Sequence, residues 1–267
     1  MIAEVIGSPI AHSRSPEIHR QWIRALGINA KFNASQVEPG ELPYWLEQRR
    51  VGMMWRGCSV TAPLKQLAAA QVDSLSHEAK RLGAVNLICR DGKKLIGHNT
   101  DLEGIRSALA PHIFRTGKVV IAGAGGATAA ALAYAIDQNF AEINVIARDP
   151  GRVFDKLASR FAAPFRIVHC DQAHLTMRDA DLLINTTPMG SRHGAPMRTG
   201  ILAALPGAAS GAVVLDMNYD PVRTRLLIAA ERAGLTAVSG RDMLVGQARR
   251  AFELLFGQPA PGQPNRL

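Results

Sequence analysis

The stretch Ser59-Val60-Thr61-Ala62-Pro63-Leu64-Lys65 opens on β-branched residues, breaks at a proline and sets a lysine just beyond. That pattern reads as a strand ending and a helix beginning. A lysine at such a place is either a solvated charge or a proton carrier, and a second polar group is needed to make it the latter. Asn99-Thr100-Asp101 offers one. Asp101 either caps the helix that follows or serves as a carboxylate partner. If Lys65 and Asp101 converge, the carboxylate orients the amine for acid–base work.

Two more polar clusters call for ligands or for local bonds. Ser13 and Ser15 flank Arg14 just ahead of Pro16. Hydroxyls at that spacing reach the carboxylate or hydroxyls of a small molecule, or one of them is a helix N-cap. Asn86 sits inside an otherwise apolar strand, AVNLIC, so its amide either ties down a loop or contacts a ligand.

In VVIAGAGGATAAA, Gly123 permits a tight turn, and Gly125 lets backbone approach a pyrophosphate that the next helix N-terminus stabilises. Gly126 makes the pattern G-x-G-G, and Ala129 is read as the third fingerprint position, where a small residue lets helix and strand pack closely. A tight turn without a ligand is the plainer alternative, but strands on both sides favour a dinucleotide. At the end of the second strand, Arg148 and Arg152 suit a 2′-phosphate, whereas Asp149 suits free ribose hydroxyls and repels phosphate. Both NADP and NAD therefore stay open as cofactors.

The elements that must position these residues follow from periodicity and punctuation. AEVIG, INAKFNAS and MMWRGCSV read as strands, separated by the helices PEIHRQWIRALG and PGELPYWLEQRR. A helix is expected over Lys65–Leu82, ending before Gly83. AVNLICR and LIGHNT are joined by a DGKK turn as a hairpin. From Thr116 on, short apolar runs (KVVIA, EINVIARD, FRIVH, DLLINTTP, AVVLDMNY) alternate with helices (GATAAALAYAIDQ, FDKLASRF, TRLLIAAERAG), which predicts a mainly parallel sheet covered on both faces. A last helix is expected near Met243–Phe256, before a Pro- and Gly-rich tail.

The 267 residues are 47% hydrophobic and 20% charged, ample for one large or two moderate domains. The net charge of +9 suits an anionic small molecule or a nucleic acid, but the arginines are scattered and no nucleic-acid motif is found. Three widely spaced cysteines make no CxxC pair, so no metal site or disulfide framework is expected, and a reduced cytoplasm is the default. No run is long enough to span a membrane.

Taken together, SPIAHSRSPEIH, SVTAPLK, GAVN, HNTD, GAGGAT, NTTPMG, DMNY and GRDMLVGQA, in this order, resemble the shikimate dehydrogenase family. The resemblance implies two α/β domains. Residues 1–102, completed by a helix over 242–256, would hold a cyclic hydroxy acid on a mixed sheet. Residues 103–240 would be a Rossmann-type parallel sheet for NADP or NAD, with 257–267 a loose tail. Ser13 and Ser15 would grip the carboxylate of shikimate or quinate. Thr61, Lys65, Asn86 and Asp101 would contact the ring hydroxyls, and Tyr219 and Gln247 would complete the site. Lys65 would be catalytic with Asp101 its partner. The cofactor turn would be Gly123, Ala124, Gly125, Gly126 and Ala127, and Met217, Gly240 and Met243 would lie on the nicotinamide side. A metal, a nucleic acid and a membrane are not implied; the chain would act as a monomer or homodimer. Departures from the family pattern fall at Ser59, His98, Leu102, Ala147 and Asp149. They leave a relative acting on quinate or an aminated relative of the acid, or a binding-only regulatory one, as alternatives.

Overall fold

The computed structural model describes residues 1–262 and Pro264; residues 263 and 265–267 of the expected tail lie outside the described residues. The chain divides into two compact units. One comprises Met1–Glu103 with the stretch from Val245 onward, and the other is Gly104–Leu244.

The first unit is a six-stranded mixed sheet. Its strands are β1 (Ile2–Gly7), β2 (Lys31–Gln36), β3 (Trp55–Val60), β4 (Ser74–Leu75), β5 (Leu87–Asp91) and β6 (Lys94–His98), in the order β2-β1-β3-β5-β6-β4. β1 runs parallel to β2 and β3, while β3, β5 and β6 pair antiparallel. The β5–β6 hairpin closes through Gly92 at φ +59, with Asp91 opposite Lys94. Its helices are α1 (Ser15–Ala25), α2 (Leu42–Arg50), α3 (Lys65–Ala69) and α4 (His77–Leu82). On one face of the sheet, Ile6, Val60, Leu64 and Ile88 form an aliphatic core. Elsewhere in the unit Trp22 of α1 meets Phe252 of the last helix edge-on, with ring centres 5.5 Å apart. Within β1, buried Glu4 accepts from Arg49 Nε at 2.9 Å and Trp55 Nε1 at 3.1 Å, so the buried charge is paired.

The helix expected over Lys65–Leu82 is broken. α3 stops at Ala69, and the chain passes through β4 before Ser76 starts α4 by accepting from Ala79 N at 3.2 Å. The break goes with tertiary contacts. Asp73 turns its carboxylate to the backbone of Leu95 and to Arg50, which holds the connection on the sheet edge. Asn86 precedes β5 instead of lying within it.

The second unit is a six-stranded, wholly parallel sheet. It holds β7 (Lys118–Ala122), β8 (Glu142–Ala147), β9 (Arg166–His169), β10 (Leu182–Asn185), β11 (Val213–Asp216) and β12 (Thr236–Ser239), ordered β12-β11-β10-β7-β8-β9. α5 (Asp101–Leu109) leads into it. α6 (Gly126–Asp137), α7 (Pro150–Ala158), α8 (Ala173–Thr176), α9 (Thr199–Ala204) and α10 (Arg225–Arg232) connect its strands. The central strands are buried on both faces, as the unbroken apolar runs require. β12, α8 and α9 were not anticipated, being only four to six residues each. The last helix, α11, runs Gly240–Phe256, one turn longer than expected at its start. Among the described residues, no helix is long and apolar enough to cross a membrane.

Candidate active site

Lys65 opens α3, with buried Leu64 anchoring the turn before it. Asp101 opens α5, and there Asn99 does the capping: its Oδ1 accepts from Asp101 N at 2.9 Å while its Nδ2 donates to Ala84 O at 2.9 Å. The Asp101 carboxylate is thereby left for other partners. Lys65 Nζ donates to its Oδ2 at 2.6 Å, and Asn86 Nδ2 donates to its Oδ1 at 2.8 Å. Asp101 is buried, whereas the Lys65 side chain keeps 24% of its exposure. A sequestered carboxylate thus holds an amine that still reaches solvent.

Asn86 is the hub. Its Oδ1 accepts from Thr100 N at 2.8 Å, and its Nδ2 also lies 3.1 Å from both Thr100 Oγ1 and Gln247 Oε1. The amide therefore ties down the Asn99–Asp101 turn and touches α11 as well. Lys65, Asn86, Asp101 and Gln247 are brought together by these bonds, and Thr100 joins them. Its only signal in the sequence was its place between two site residues.

Ser13 and Ser15 bond each other, through Ser13 Oγ and the Ser15 N–H at a long 3.4 Å. Arg14 occupies the cap position of α1 but its side chain pairs with Glu17 at 2.8 Å, so neither serine stands at the cap position itself. Thr61 rests on β1: a Cβ at Gly7 would fall 2.5 Å from its Cγ2. Among the described residues no hydrogen bond links Ser13, Ser15 or Thr61 to the Lys65 cluster. Of the departures from the family pattern, Leu102 is core. His98 is held below the usual histidine pKa by burial and by the charge of Arg250, with Glu78 opposing.

In the second unit the glycine turn follows β7. Gly123 has φ +140, and a Cβ there would lie 2.0 Å from Thr186 Oγ1, so only glycine fits. Counted from Gly123, the third position of the dinucleotide fingerprint is Thr128, not Ala129, and a threonine there departs from Gly or Ala. Thr128 Oγ1 accepts from Gly125 N at 3.0 Å and meets Thr186 Oγ1 at 2.8 Å; Thr186 Oγ1 in turn donates to Ala122 O at 2.8 Å. Since Thr186 has one hydroxyl proton, Thr128 must be the donor between the two threonines. Ala129 is buried in the helix–strand contact.

A cavity of about 700 Å³ opens here, lined by Gly123, Ala124, Gly125, Thr186, Thr187 and Arg148 among others. That volume lies within the range of cofactor sites. A Cβ built on Gly125 meets nothing within 4 Å, so backbone there stands open to a phosphate. These residues fit a dinucleotide. Gly126 and Ala127, at the start of α6, are outside the lining, as are Asp149 and Arg152. Asp149 Oδ1 accepts from Arg152 N at 3.2 Å, which makes Asp149 the N-cap of α7.

Met217 and Tyr219 follow β11 on a loop held from below by buried Asp216. Its carboxylate takes bonds from Asn185 Nδ2 (2.9 Å), Thr224 Oγ1 (2.6 Å) and Asn218 N (3.1 Å). Burial nevertheless keeps the Asp216 pKa above the usual carboxylate value. Asn218 Nδ2 reaches Thr187 O and Met189 O, joining this loop to the cavity wall. Gly240 is explained by packing: a Cβ would lie 2.5 Å from Asn218 O. Met243 is buried. Among the described residues one group, His169, Cys170 and Asp171, brings possible metal-ligand atoms within 4.8 Å, with Arg198 Nη1 3.5 Å from Asp171 Oδ1.

Fold and site define a two-unit α/β protein whose second unit is a Rossmann-type sheet with a glycine turn at the head of its first helix. Residues 5–88 match the shikimate dehydrogenase substrate binding domain. Over 261 residues the chain is 39% identical to a shikimate dehydrogenase (NADP(+)) of Sphingopyxis alaskensis, covering 97% of this chain and 92% of that protein. Its fold is similar to the Thermus thermophilus shikimate 5-dehydrogenase in complex with NADP(H) and shikimate (TM-score 0.83, 32% identity, 98% and 95% coverage). It is also similar to the Listeria monocytogenes enzyme in complex with shikimate and NAD (TM-score 0.84, 29% identity, 97% and 93% coverage). The chain belongs to the shikimate dehydrogenase family.

Proposed function

We propose that this protein is an NAD(P)-dependent oxidoreductase that interconverts shikimate and its 3-dehydro form. Lys65 is its acid/base, Asp101 the partner of Lys65, and the remaining substrate contacts come from Ser13, Ser15, Thr61, Asn86, Tyr219 and Gln247. The observation that carries the reading is the 2.6 Å bond from Lys65 Nζ to buried Asp101, whose other oxygen is held by Asn86. Hydride chemistry belongs to the nicotinamide cofactor when bound. The chain's own residues must orient the ring and handle the hydroxyl proton. In reduction, Lys65 Nζ gives a proton to the carbonyl oxygen as it becomes a hydroxyl; in oxidation it takes that proton back. Asp101 fixes the amine's position throughout, and its burial keeps water from competing for Oδ2. Ser13 and Ser15 supply hydroxyls for the acid's carboxylate. Gly123, Ala124 and Gly125 offer backbone to the pyrophosphate, with Gly126 and Ala127 beginning the helix behind it, and Met217, Gly240 and Met243 on the nicotinamide side. Three free cysteines support a reducing compartment, the cytoplasm.

The test is an absorbance assay for reduced nicotinamide with shikimate or quinate, each with NADP or NAD. Turnover of shikimate is expected. Turnover of quinate alone would transfer the reading to that acid, and saturable binding of shikimate without turnover in any mixture would overturn the enzymatic reading.

A further inference from the structure

We infer that Arg198, immediately ahead of α9, is a cofactor-specificity residue: together with Arg148 it recognises a phosphate on the adenosine 2′ position. The inference rests on the dinucleotide reading above and deepens it. In parallel α/β sheets of this kind the end of the second strand meets the adenosine ribose. Arg148 stands there, at the end of β8, and lines the cavity of about 700 Å³. Among the described residues no acid pairs with it.

The two neighbours that sequence alone groups with Arg148, Asp149 and Arg152, are not among the residues lining that cavity. Asp149 caps α7. Arg198 does line it, and it also lines an adjoining cavity of about 320 Å³. The larger cavity is therefore lined by two arginines and by no acidic residue. Such a wall favours a dianion over a neutral diol, because each guanidinium offers forked donors that match phosphate oxygens.

Arg198 is also available. Its contact with Asp171 is a single one at 3.5 Å between exposed side chains, a weak restraint. Arg192, by contrast, is committed to both oxygens of Asp220 at 2.8 and 3.0 Å.

The test is titration calorimetry of the full chain with adenosine 2′,5′-bisphosphate and with 5′-AMP. Wild type is expected to prefer the bisphosphate. Arg198→Ala should weaken the bisphosphate about tenfold and leave 5′-AMP unchanged, the size expected for loss of one charge-assisted pair. Arg198→Lys should fall between, keeping charge without the fork. No loss with either fragment, or equal loss with both, overturns the role of Arg198 and leaves the dinucleotide reading standing. Failure of wild type to bind either fragment removes that reading, and this one with it.

Discussion

Lys65 Nζ and Asp101 Oδ2 lie 2.6 Å apart, although 36 residues separate them and each opens a different helix. Lys65→Ala is expected to lower kcat by at least about 10²-fold, the lower end of general acid–base contributions, without changing cofactor affinity. Asp101→Asn should also lower kcat, and the double variant should be little worse than Lys65→Ala, since the two act as a unit. Steady-state kinetics beside cofactor titration decide this, and near-normal turnover by Lys65→Ala would sink the assignment.

Asn86 holds one oxygen of Asp101 and the backbone of Thr100 together. Asn86→Ala leaves those buried groups without partners, so a stability loss of about 1–3 kcal/mol is expected. Asn86→Asp should be worse at neutral pH, because it sets a second carboxylate beside the first. Urea unfolding measures both. A variant as stable as wild type would mean that the hub is redundant.

Gly123 and Gly125 should separate fold from binding. Gly123→Ala forces a side chain onto φ +140 and into Thr186 Oγ1, and a destabilisation above about 2 kcal/mol is expected. Gly125→Ala meets open space, so its stability should stay within about 0.5 kcal/mol while NADP and NAD affinity falls, the methyl standing where phosphate must approach. Unchanged nucleotide binding by Gly125→Ala would count against a phosphate seat at this turn.

His19 predicts an acid-side stability slope. Its ring is buried, stacks 4.0 Å from Phe32, and burial lowers its pKa to about 3. The unfolded chain takes up a proton near pH 6.5 that the folded one refuses. The stability from neutral His19 is thus full above pH 6.5, and it falls by up to about 1.4 kcal/mol per pH unit between pH 6.5 and about 3. His19→Phe keeps the ring and removes the proton. Its stability, followed by urea melts from pH 7 to 5, should decline less steeply than that of wild type. Parallel slopes would refute the assignment.

What the sequence made legible was long or chemically marked. The central strands of the second unit declared themselves as unbroken apolar runs, and the glycine turn by residues that only a tight approach explains. β12 and α9 were missed because four or six residues repeat a strand or helix pattern too few times to stand out. The break between α3 and α4 was missed because Asp73 and Ser76 act through partners, Leu95 and Ala79, that spacing alone does not favour over a continuous helix. At the site, Lys65, Asn86, Asp101 and Gln247 were legible through their motifs. Arg198 was not, since nothing in PMRTG marks an arginine that folding brings to a cavity wall. Asp149 shows a role that its place beside two arginines does not announce, that of the cap of α7.

The last helix gives the first unit a schedule. Met1–Glu103 and the stretch from Val245 onward form one compact body, with 141 residues of Gly104–Leu244 between them. On a ribosome adding about 5–20 residues per second, Trp22 emerges on the order of ten to fifty seconds before Phe252 can cover it. For the later part of that interval Asn86 lacks Gln247. Gly104–Leu244 is uninterrupted in sequence and can fold while that gap is open. The nascent chain therefore waits with an aromatic face uncovered until synthesis is nearly done, and that interval is when it is most exposed to chaperones and to misassembly.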